Sequence, residues 1–178
     1  GFQAFYPGPG VGGHCVPVDP VYLQHFASER TGTPILDAVI DAMDVHPVNV
    51  HNRIARALTA ASQLPLPAGL SVDVGYIGVA YKPNVSDCRN SPAEALLRYG
   101  SWVDMRITYH DPHVPYWRSR HSQPLTAEWL QAQAAVVMLV DHEQLRDRRQ
   151  FILDHAPLVL DTCNAFKGYE SCPNLRKI

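Results

Sequence analysis

AAVVMLV, residues 134–140, is the longest unbroken run of apolar residues in the 178-residue sequence. A membrane-spanning helix needs about 20 such residues, so this run is far too short to cross a bilayer. An uninterrupted apolar strand is typical of a parallel sheet that is covered on both faces. The run therefore predicts a fully buried strand within an α/β fold.

Strands and helices alternate on both sides of this run, which is the pattern of a mostly parallel sheet with helical crossovers. We predict further strands at 70–79, 105–109 and 158–160, and helices at 91–99, 126–133 and 143–154. Ser91 and Pro92 suit the cap and the first residue of the helix at 91–99. The second part of the chain is thus predicted to be a sheet domain.

Two helices are predicted before the sheet, at 20–30 and 34–62. Pro47 lies inside the longer one, and a proline within a helix removes a hydrogen bond, so we expect a bend near 43–47. The proline- and glycine-rich stretch 64–69 marks a boundary. We therefore divide the chain into a loop and helical segment, residues 1–66, and an α/β domain, residues 67–178.

The formal net charge of -2 and the lack of a basic run argue against nucleic-acid binding, and no secretory signal or membrane span is present. Four cysteines, at positions 15, 88, 163 and 172, form no C-x-x-C pair. We therefore predict no metal site and a reducing, cytoplasmic location.

GPGVGGHCVPV, residues 8–18, is a glycine-rich loop that presents Cys15 just before a predicted helix. Asp19 suits the N-cap and Pro20 the first helical position. The positive end of a helix stabilises a thiolate, which is the reactive form of cysteine. Cys15 is therefore either a nucleophile or an inert buried cysteine beside a structural loop, and position alone favours neither.

Three polar stretches follow predicted strands: residues 82–89, Asp111, and residues 161–164. The carboxyl ends of parallel strands meet at one edge of a sheet, and ligands bind there in open α/β folds. This edge is the candidate ligand site.

Four blocks of sequence resemble the UDP-glucose/GDP-mannose dehydrogenase family, and its branch that oxidises UDP-N-acetylhexosamines in particular. They are FYPGPGVGGHCVPVDP at 5–20, GVAYKPNVSDCRNSPA at 78–93, Asp111-Pro112, and VLDTCNA at 159–165. The blocks occur in the family's order across nearly the whole chain. The resemblance implies a Rossmann-like UDP-sugar-binding domain after a central helical segment.

The resemblance also implies a reaction, in which the 6-hydroxymethyl group of a nucleotide sugar is oxidised to a carboxylate with NAD as cofactor. Cys15 matches the cysteine that forms the thiohemiacetal and thioester intermediates. Asp19 matches an aspartate that positions or activates water, although its capping role would need nothing more. The competing reading of Cys15 as a cysteine hydrolase lacks a base, because the side chain of the adjacent His14 diverges from it.

Further site residues follow from the same resemblance. The substrate-binding residues are Phe5, Tyr6, Gly8, Gly10, Gly13 and Lys82. Glycine N–H groups can bind phosphate oxygens, although glycines can also simply shape a turn. Arg89 matches an arginine on the NAD pyrophosphate, which suits its planar guanidinium.

The chain departs from the family pattern at two positions: Cys163 stands where the last block usually has arginine, and Met43 where the long helix often has asparagine. Loss of the arginine's charge removes a contact to the nucleotide end of the substrate. Both departures leave the sugar and the base open.

The sequence resembles the back half of such an enzyme, because no strand followed by Gly-x-Gly-x-x-Gly and a helix is present. We therefore expect a separate N-terminal NAD-binding domain as a partner and no turnover by residues 1–178 alone. The resemblance also implies a homodimer through the long central helix. The alternative is a non-catalytic nucleotide-sugar-binding or dimerisation module.

Overall fold

The computed structural model describes residues 7–28, 32–62, 71–98 and 104–178. Two helices come first, α1 (Asp19–Ser28) and α2 (Pro34–Ala61). They are followed by β1 (Ser71–Ile77), α3 (Pro92–Arg98), β2 (Asp104–His110), β3 (Tyr116–Trp117), β4 (Arg120–His121), α4 (Ala127–Gln131), β5 (Ala135–Met138), α5 (Glu143–Arg146), α6 (Arg149–His155), β6 (Val159–Asp161) and β7 (Leu175–Lys177). The order is helices, then alternating strands and helices.

The sheet is parallel, with strand order β2-β1-β5-β6-β7 in the described part of the chain. In the register, Val137 of β5 lies opposite Tyr76 of β1 and Leu160 of β6. All residues of β5 are buried. The predicted α/β fold with a mostly parallel sheet is therefore confirmed.

Both faces of the sheet are covered, because alternate residues of β5 enter different apolar clusters. Val137 packs with α2 and α3, whereas Val136 and Met138 pack with α4 and α6. This explains the unbroken apolar run: a strand with two buried faces has no solvent-facing position to fill with a polar side chain.

The long helix α2 runs through Pro47, which is buried. The bend at 43–47 stays a prediction. The C-terminal half of α2 packs Val50, Ile54 and Leu58 into the same apolar cluster as the strand residue Val74. The helix is therefore held against the sheet that follows it. The predicted boundary at 66/67 lies outside the described residues.

The structure differs from the sequence predictions in three elements. The predicted helix at 143–154 is two short helices, α5 and α6, separated at Asp147 and Arg148. The antiparallel hairpin β3–β4 and the edge strand β7 were not predicted.

Candidate functional site

The glycine loop forms hydrogen bonds both to the segment after β1 and to helix α2. The Gly13 N–H donates to the carbonyl oxygen of Arg89 (3.1 Å), and the Asn90 side-chain amide donates to the carbonyl of Gly13 (3.0 Å). At its other end, Nε2 of His46 in α2 donates to the carbonyl of Gly8 (2.8 Å). The first two sequence blocks therefore meet in space.

Two glycines of this loop are required by geometry. A Cβ on Gly12 would lie 2.8 Å from Cβ of Tyr81 and 2.9 Å from the carbonyl oxygen of Asn90, which is too close for any side chain. Gly13 has a φ of +89°, a conformation that only glycine adopts readily. The loop can lie against residues 81–92 because Gly12 and Gly13 have no side chains.

Cys15 is exposed, and its carbonyl oxygen accepts hydrogen bonds from the N–H groups of Val18 (3.0 Å) and Asp19 (2.8 Å). An N-cap residue is the one whose carbonyl accepts the first helical bond. The residue before α1 is Val18, whose carbonyl accepts the N–H of Tyr22 (3.2 Å), so the prediction that Asp19 is the N-cap is wrong: Asp19 is the first residue of α1. Cys15 lies four residues before α1, in the turn that leads into this helix, and its position at the positive end of the helix stays a prediction.

A cavity of about 500 Å³ opens at the carboxyl edge of the sheet. Its walls are residues 7–10, residues 81–83 after β1, residues 139–141 and Arg146 after β5, and residues Cys163, Asn164 and Lys167 after β6. Pro92 completes it. The edge chosen from the sequence is thus the edge that carries the cavity.

The predicted site residues are placed unequally around this cavity. Gly8, Gly10 and Lys82 line it, and Gly13 is buried in the loop behind it. Cys15, Asp19 and Arg89 are not part of its lining. Phe5 and Tyr6 lie outside the described residues.

Two cations of the cavity, Arg146 and Lys167, were not predicted from the sequence. Arg146 follows β5 and Lys167 follows β6, so the rule that ligands bind at strand carboxyl ends could have found them. Neither falls in a block of the family resemblance. Cys163 also lines the cavity, and burial raises the pKa of its thiol to about 12.

Asp111 is buried beneath the loops at this edge. Its carboxylate accepts the N–H groups of Val79 (2.7 Å), Ala80 (3.2 Å), His113 (2.8 Å) and Val114 (3.0 Å). Burial opposes ionisation of Asp111, but the hydrogen bond from His142 and those from the backbone outweigh it and lower the pKa. Asp111 therefore shapes the loops from below and does not line the cavity.

His142 links Asp111 to the Lys82 loop. Its Nδ1 accepts the N–H of Asn84 (2.9 Å), so Nε2 carries the proton and faces Oδ2 of Asp111 at 3.2 Å. The Asn84 side-chain oxygen in turn accepts the N–H of Glu143 (3.0 Å). The loops after β1, β2 and β5 are thereby joined by one chain of hydrogen bonds, which is buried at Asp111 and His142 and reaches the surface at Asn84.

Asp161 anchors the loop after β6 as Asp111 anchors its own loop, by accepting main-chain hydrogen bonds. Its carboxylate accepts the N–H groups of Cys163 (3.2 Å), Ala165 (3.0 Å) and Phe166 (2.9 Å). The predicted edge residues Asp111 and Asp161 are therefore loop anchors, and the ligand-facing groups come from their neighbours.

Arg89 is exposed and forms a bidentate pair with Asp87, with Nη2 2.7 Å from Oδ2 and Nε 3.1 Å from Oδ1. Hydrogen bonds from the Arg89 side chain lower the pKa of Asp87 to about 2. The guanidinium is thus held in place on the surface beside the glycine loop.

Met43 lines a second, smaller cavity of about 280 Å³ between the loop, α2 and α3, with Pro17, Asn90 and Arg98 among its other walls.

Over the residues that the structure describes, no helix is both long and apolar enough to cross a membrane. The same residues bring no three metal-ligating side chains together.

Comparison with known proteins identifies relatives over most of the chain. The profile of the UDP-glucose/GDP-mannose dehydrogenase family, UDP binding domain, matches residues 75–168, and the profile of the family's central domain matches residues 1–44. The UDP-N-acetyl-D-mannosamine dehydrogenase of Salmonella typhimurium is 28% identical over 145 residues, which are 79% of this chain and 34% of that protein. The NDP-N-acetyl-D-galactosaminuronic acid dehydrogenase of Ralstonia nicotianae is 30% identical over 149 residues, 79% of this chain and 32% of the relative.

Solved structures share the fold. A UDP-D-ManNAc dehydrogenase from Pyrococcus horikoshii superposes with a TM-score of 0.76 at 22% identity, covering 99% of this chain and 40% of that one. The NDP-N-acetyl-D-galactosaminuronic acid dehydrogenase from Methanosarcina mazei gives a TM-score of 0.77 at 19% identity, with the same coverage. The chain spans about a third of the length of the curated relatives it matches.

Proposed function

The chain belongs to the UDP-glucose/GDP-mannose dehydrogenase family, and we propose that it is the substrate-binding and cysteine-bearing part of an NAD-dependent nucleotide-sugar 6-dehydrogenase. The substrate we propose is a UDP-hexose or UDP-N-acetylhexosamine. Support for this class comes from the relatives, which are dehydrogenases of nucleotide sugars.

One observation carries the proposal: the glycine loop and the Lys82 loop, far apart in sequence, form adjoining walls of one cavity. The cavity of about 500 Å³ is within the usual size range of small-molecule sites. Lys82 supplies charge for phosphate, and the loop at Gly8 and Gly10 brings bare backbone close to a ligand. The nucleotide would therefore lie at the sheet edge and the sugar along the glycine loop.

Cys15 would supply the nucleophile. Its thiolate adds to the carbonyl carbon of the sugar aldehyde, forming a C–S bond while the carbonyl oxygen takes a proton. After oxidation of this thiohemiacetal, water cleaves the thioester, which releases the carboxylate and restores the thiol. The thiol is exposed four residues before α1, so it has the access that this chemistry needs.

Asp19 would act on water in the hydrolytic step. It is exposed, and it stands one helical turn from Cys15, to which its backbone N–H is bonded. Since its carboxylate is not needed to cap α1, it is available to orient or deprotonate a water molecule.

NAD is the cofactor we propose, and the residues present fit a contact to its pyrophosphate. Arg89 is held by Asp87 through Nε and Nη2, and its side chain is 67% exposed, so the remaining edge of the guanidinium can donate to a phosphate. When bound, NAD supplies the acceptor for the two hydrides that leave the sugar carbon. The rest of its binding site is expected in an N-terminal domain that joins residues 1–178.

The test is NADH formation by the gene product that contains residues 1–178, with a panel of UDP-, TDP- and GDP-sugars. We expect two NADH per sugar consumed, and loss of acid formation in Cys15→Ala. The matched control is Cys172→Ala, which removes a thiol outside the cavity and should keep full activity.

Normal acid formation by Cys15→Ala would refute the proposed mechanism. Binding of UDP-sugars without any NADH formation would favour the second candidate, a non-catalytic binding or dimerisation module. That candidate is supported by the position of Cys15, which is not part of the lining of the cavity.

We further propose a homodimer through α2. Ile35 is 78% exposed, and Val39 and Val45 are also exposed on this helix, which a second copy would cover. Light scattering should give twice the chain mass, and Ile35→Glu should shift it to the monomer. A monomeric wild type at micromolar concentration would refute this.

A further inference from the structure

Three cations, Lys82, Arg146 and Lys167, line the cavity at the sheet edge together with one carboxylate, Asp141. We propose that Arg146 and Lys167, with Lys82, hold the diphosphate of the bound nucleotide. This inference rests on the proposed function and adds the residues that give the site its preference for two phosphates over one.

The one carboxylate of the cavity is already neutralised. Both oxygens of Asp141 lie 2.8 Å from Nη2 of Arg149, whose side chain is only 19% exposed. Arg149 therefore offsets the charge of Asp141 from within the protein. What remains at the cavity wall is an excess of positive charge.

The guanidinium of Arg146 forms no close hydrogen bond with the two carboxylates nearest to it, Asp141 and Glu143. Its Nε lies 3.8 Å from Asp141 and its Nη1 lies 3.8 Å from Glu143, both beyond hydrogen-bond distance. The guanidinium is half exposed, so its fork of N–H donors remains open to a ligand. A planar fork matches two phosphate oxygens at once.

The two lysines are equally available. Nζ of Lys82 lies 5.3 Å from the ring centre of Tyr81, and Lys167 is exposed on the segment after β6. Neither forms an ion pair with the part of the chain that the structure describes. Cations left unpaired around one concave site attract an anion with more than one charge, and a diphosphate is such an anion.

The cavity wall beside these cations carries a small, uncharged side chain. Cys163, a small side chain, lines the same cavity, and its Sγ lies 3.9 Å from the carbonyl of Met138. The charge at this end of the cavity therefore comes from Arg146 and Lys167, which approach from different segments.

The experiment is calorimetric titration of the gene product that contains residues 1–178 with UDP and with UMP, at low salt. We expect wild type to bind UDP more tightly than UMP. Arg146→Gln should weaken UDP binding about tenfold, because a charge-assisted bond to phosphate is lost, and should weaken UMP binding much less. Lys167→Gln should act in the same direction, and Arg146→Lys should be intermediate.

The matched control is Arg148→Gln. Arg148 is an exposed cation two residues away whose guanidinium lies 4.3 Å from the ring centre of Phe151, and it is not part of the cavity lining. It should bind UDP like wild type. Thermal unfolding of every variant checks that the fold is kept, as expected for exposed positions.

The outcomes separate the two proposals. If wild type binds UDP and the Arg146 and Lys167 variants bind it equally well, this inference is wrong and the proposed function stands. If the substitutions weaken the binding of UDP and of UMP by the same factor, the cations do not select the diphosphate and the inference is again wrong. If folded wild type binds no UDP, the substrate site of the proposed function fails as well.

Discussion

Nε2 of His142 lies 3.2 Å from Oδ2 of Asp111, and neither side chain is exposed to solvent. This contact closes a chain of hydrogen bonds from the loop after β2 to the loop that carries Lys82. A buried polar network stabilises a fold when every member is satisfied, and it costs free energy when one partner is removed.

Asp111→Asn should lower the free energy of unfolding by about 2–4 kcal/mol. An asparagine keeps one oxygen, but its amide group would face backbone N–H donors that now bond to the carboxylate. Urea denaturation measures the change. Asp147→Asn, an exposed acid at the end of α5, is the control and should stay within about 0.5 kcal/mol of wild type. Equal stability of the two variants would refute the anchoring role.

The same carboxylate makes stability depend on pH. The pKa of Asp111 is lowered in the folded state from its ordinary value of 3.8. The ionised carboxylate therefore adds to the free energy of unfolding above pH 3.8, and this stabilisation is lost as the pH falls through the folded pKa. Wild type should lose urea resistance below about pH 4 more steeply than Asp111→Asn. Parallel curves for the two proteins over this range would contradict the prediction.

Gly12→Ala should destabilise the protein by about 1–3 kcal/mol, because the new methyl group would overlap the Tyr81 side chain and the Asn90 carbonyl. Gly8→Ala is the matched control for stability, since a Cβ there meets nothing within 4 Å. Thermal unfolding should separate the two variants by several degrees. A Gly12→Ala protein as stable as Gly8→Ala would mean that the loop does not pack against residues 81–90.

Thiol labelling at pH 8 should show one fast cysteine, Cys15. It is exposed, whereas burial raises the pKa of Cys88 and of Cys163 to about 12, and Cys172 is partly buried against an apolar cluster. The fast phase should vanish in Cys15→Ser and persist in Cys172→Ser. A fast phase that survives Cys15→Ser would show that another thiol is the accessible one.

The sheet was predictable because its strands follow simple patterns. The run at 134–140 is apolar throughout and became β5, and Ser91 caps α3 through its Oγ, which accepts the N–H of Ala93 (3.2 Å). The hairpin β3–β4 was missed because Arg118 and Ser119 adopt positive φ without a glycine. β7 has only one buried residue, Leu175, so its sequence has no apolar pattern.

The candidate site was only partly predictable. Lys82 and the glycines fall in contiguous blocks, and the structure brings them to one cavity. Arg146 and Lys167 are single residues whose proximity depends on how α5 and the segment after β6 fold. The split of the predicted helix at 143–154 has no glycine or proline to mark it, so Arg146 was predicted to lie inside one continuous helix, and its place at the cavity was not recognised.

The loop after β6 also bears on how such a site can diverge. Asp161 holds this loop through main-chain N–H groups, including that of Cys163 itself, so these anchoring hydrogen bonds do not use the side chain at position 163. A mutation there can alter what the cavity accepts while the scaffold keeps its shape. Under the proposed function, position 163 is therefore the place to begin a library that selects for other nucleotide sugars.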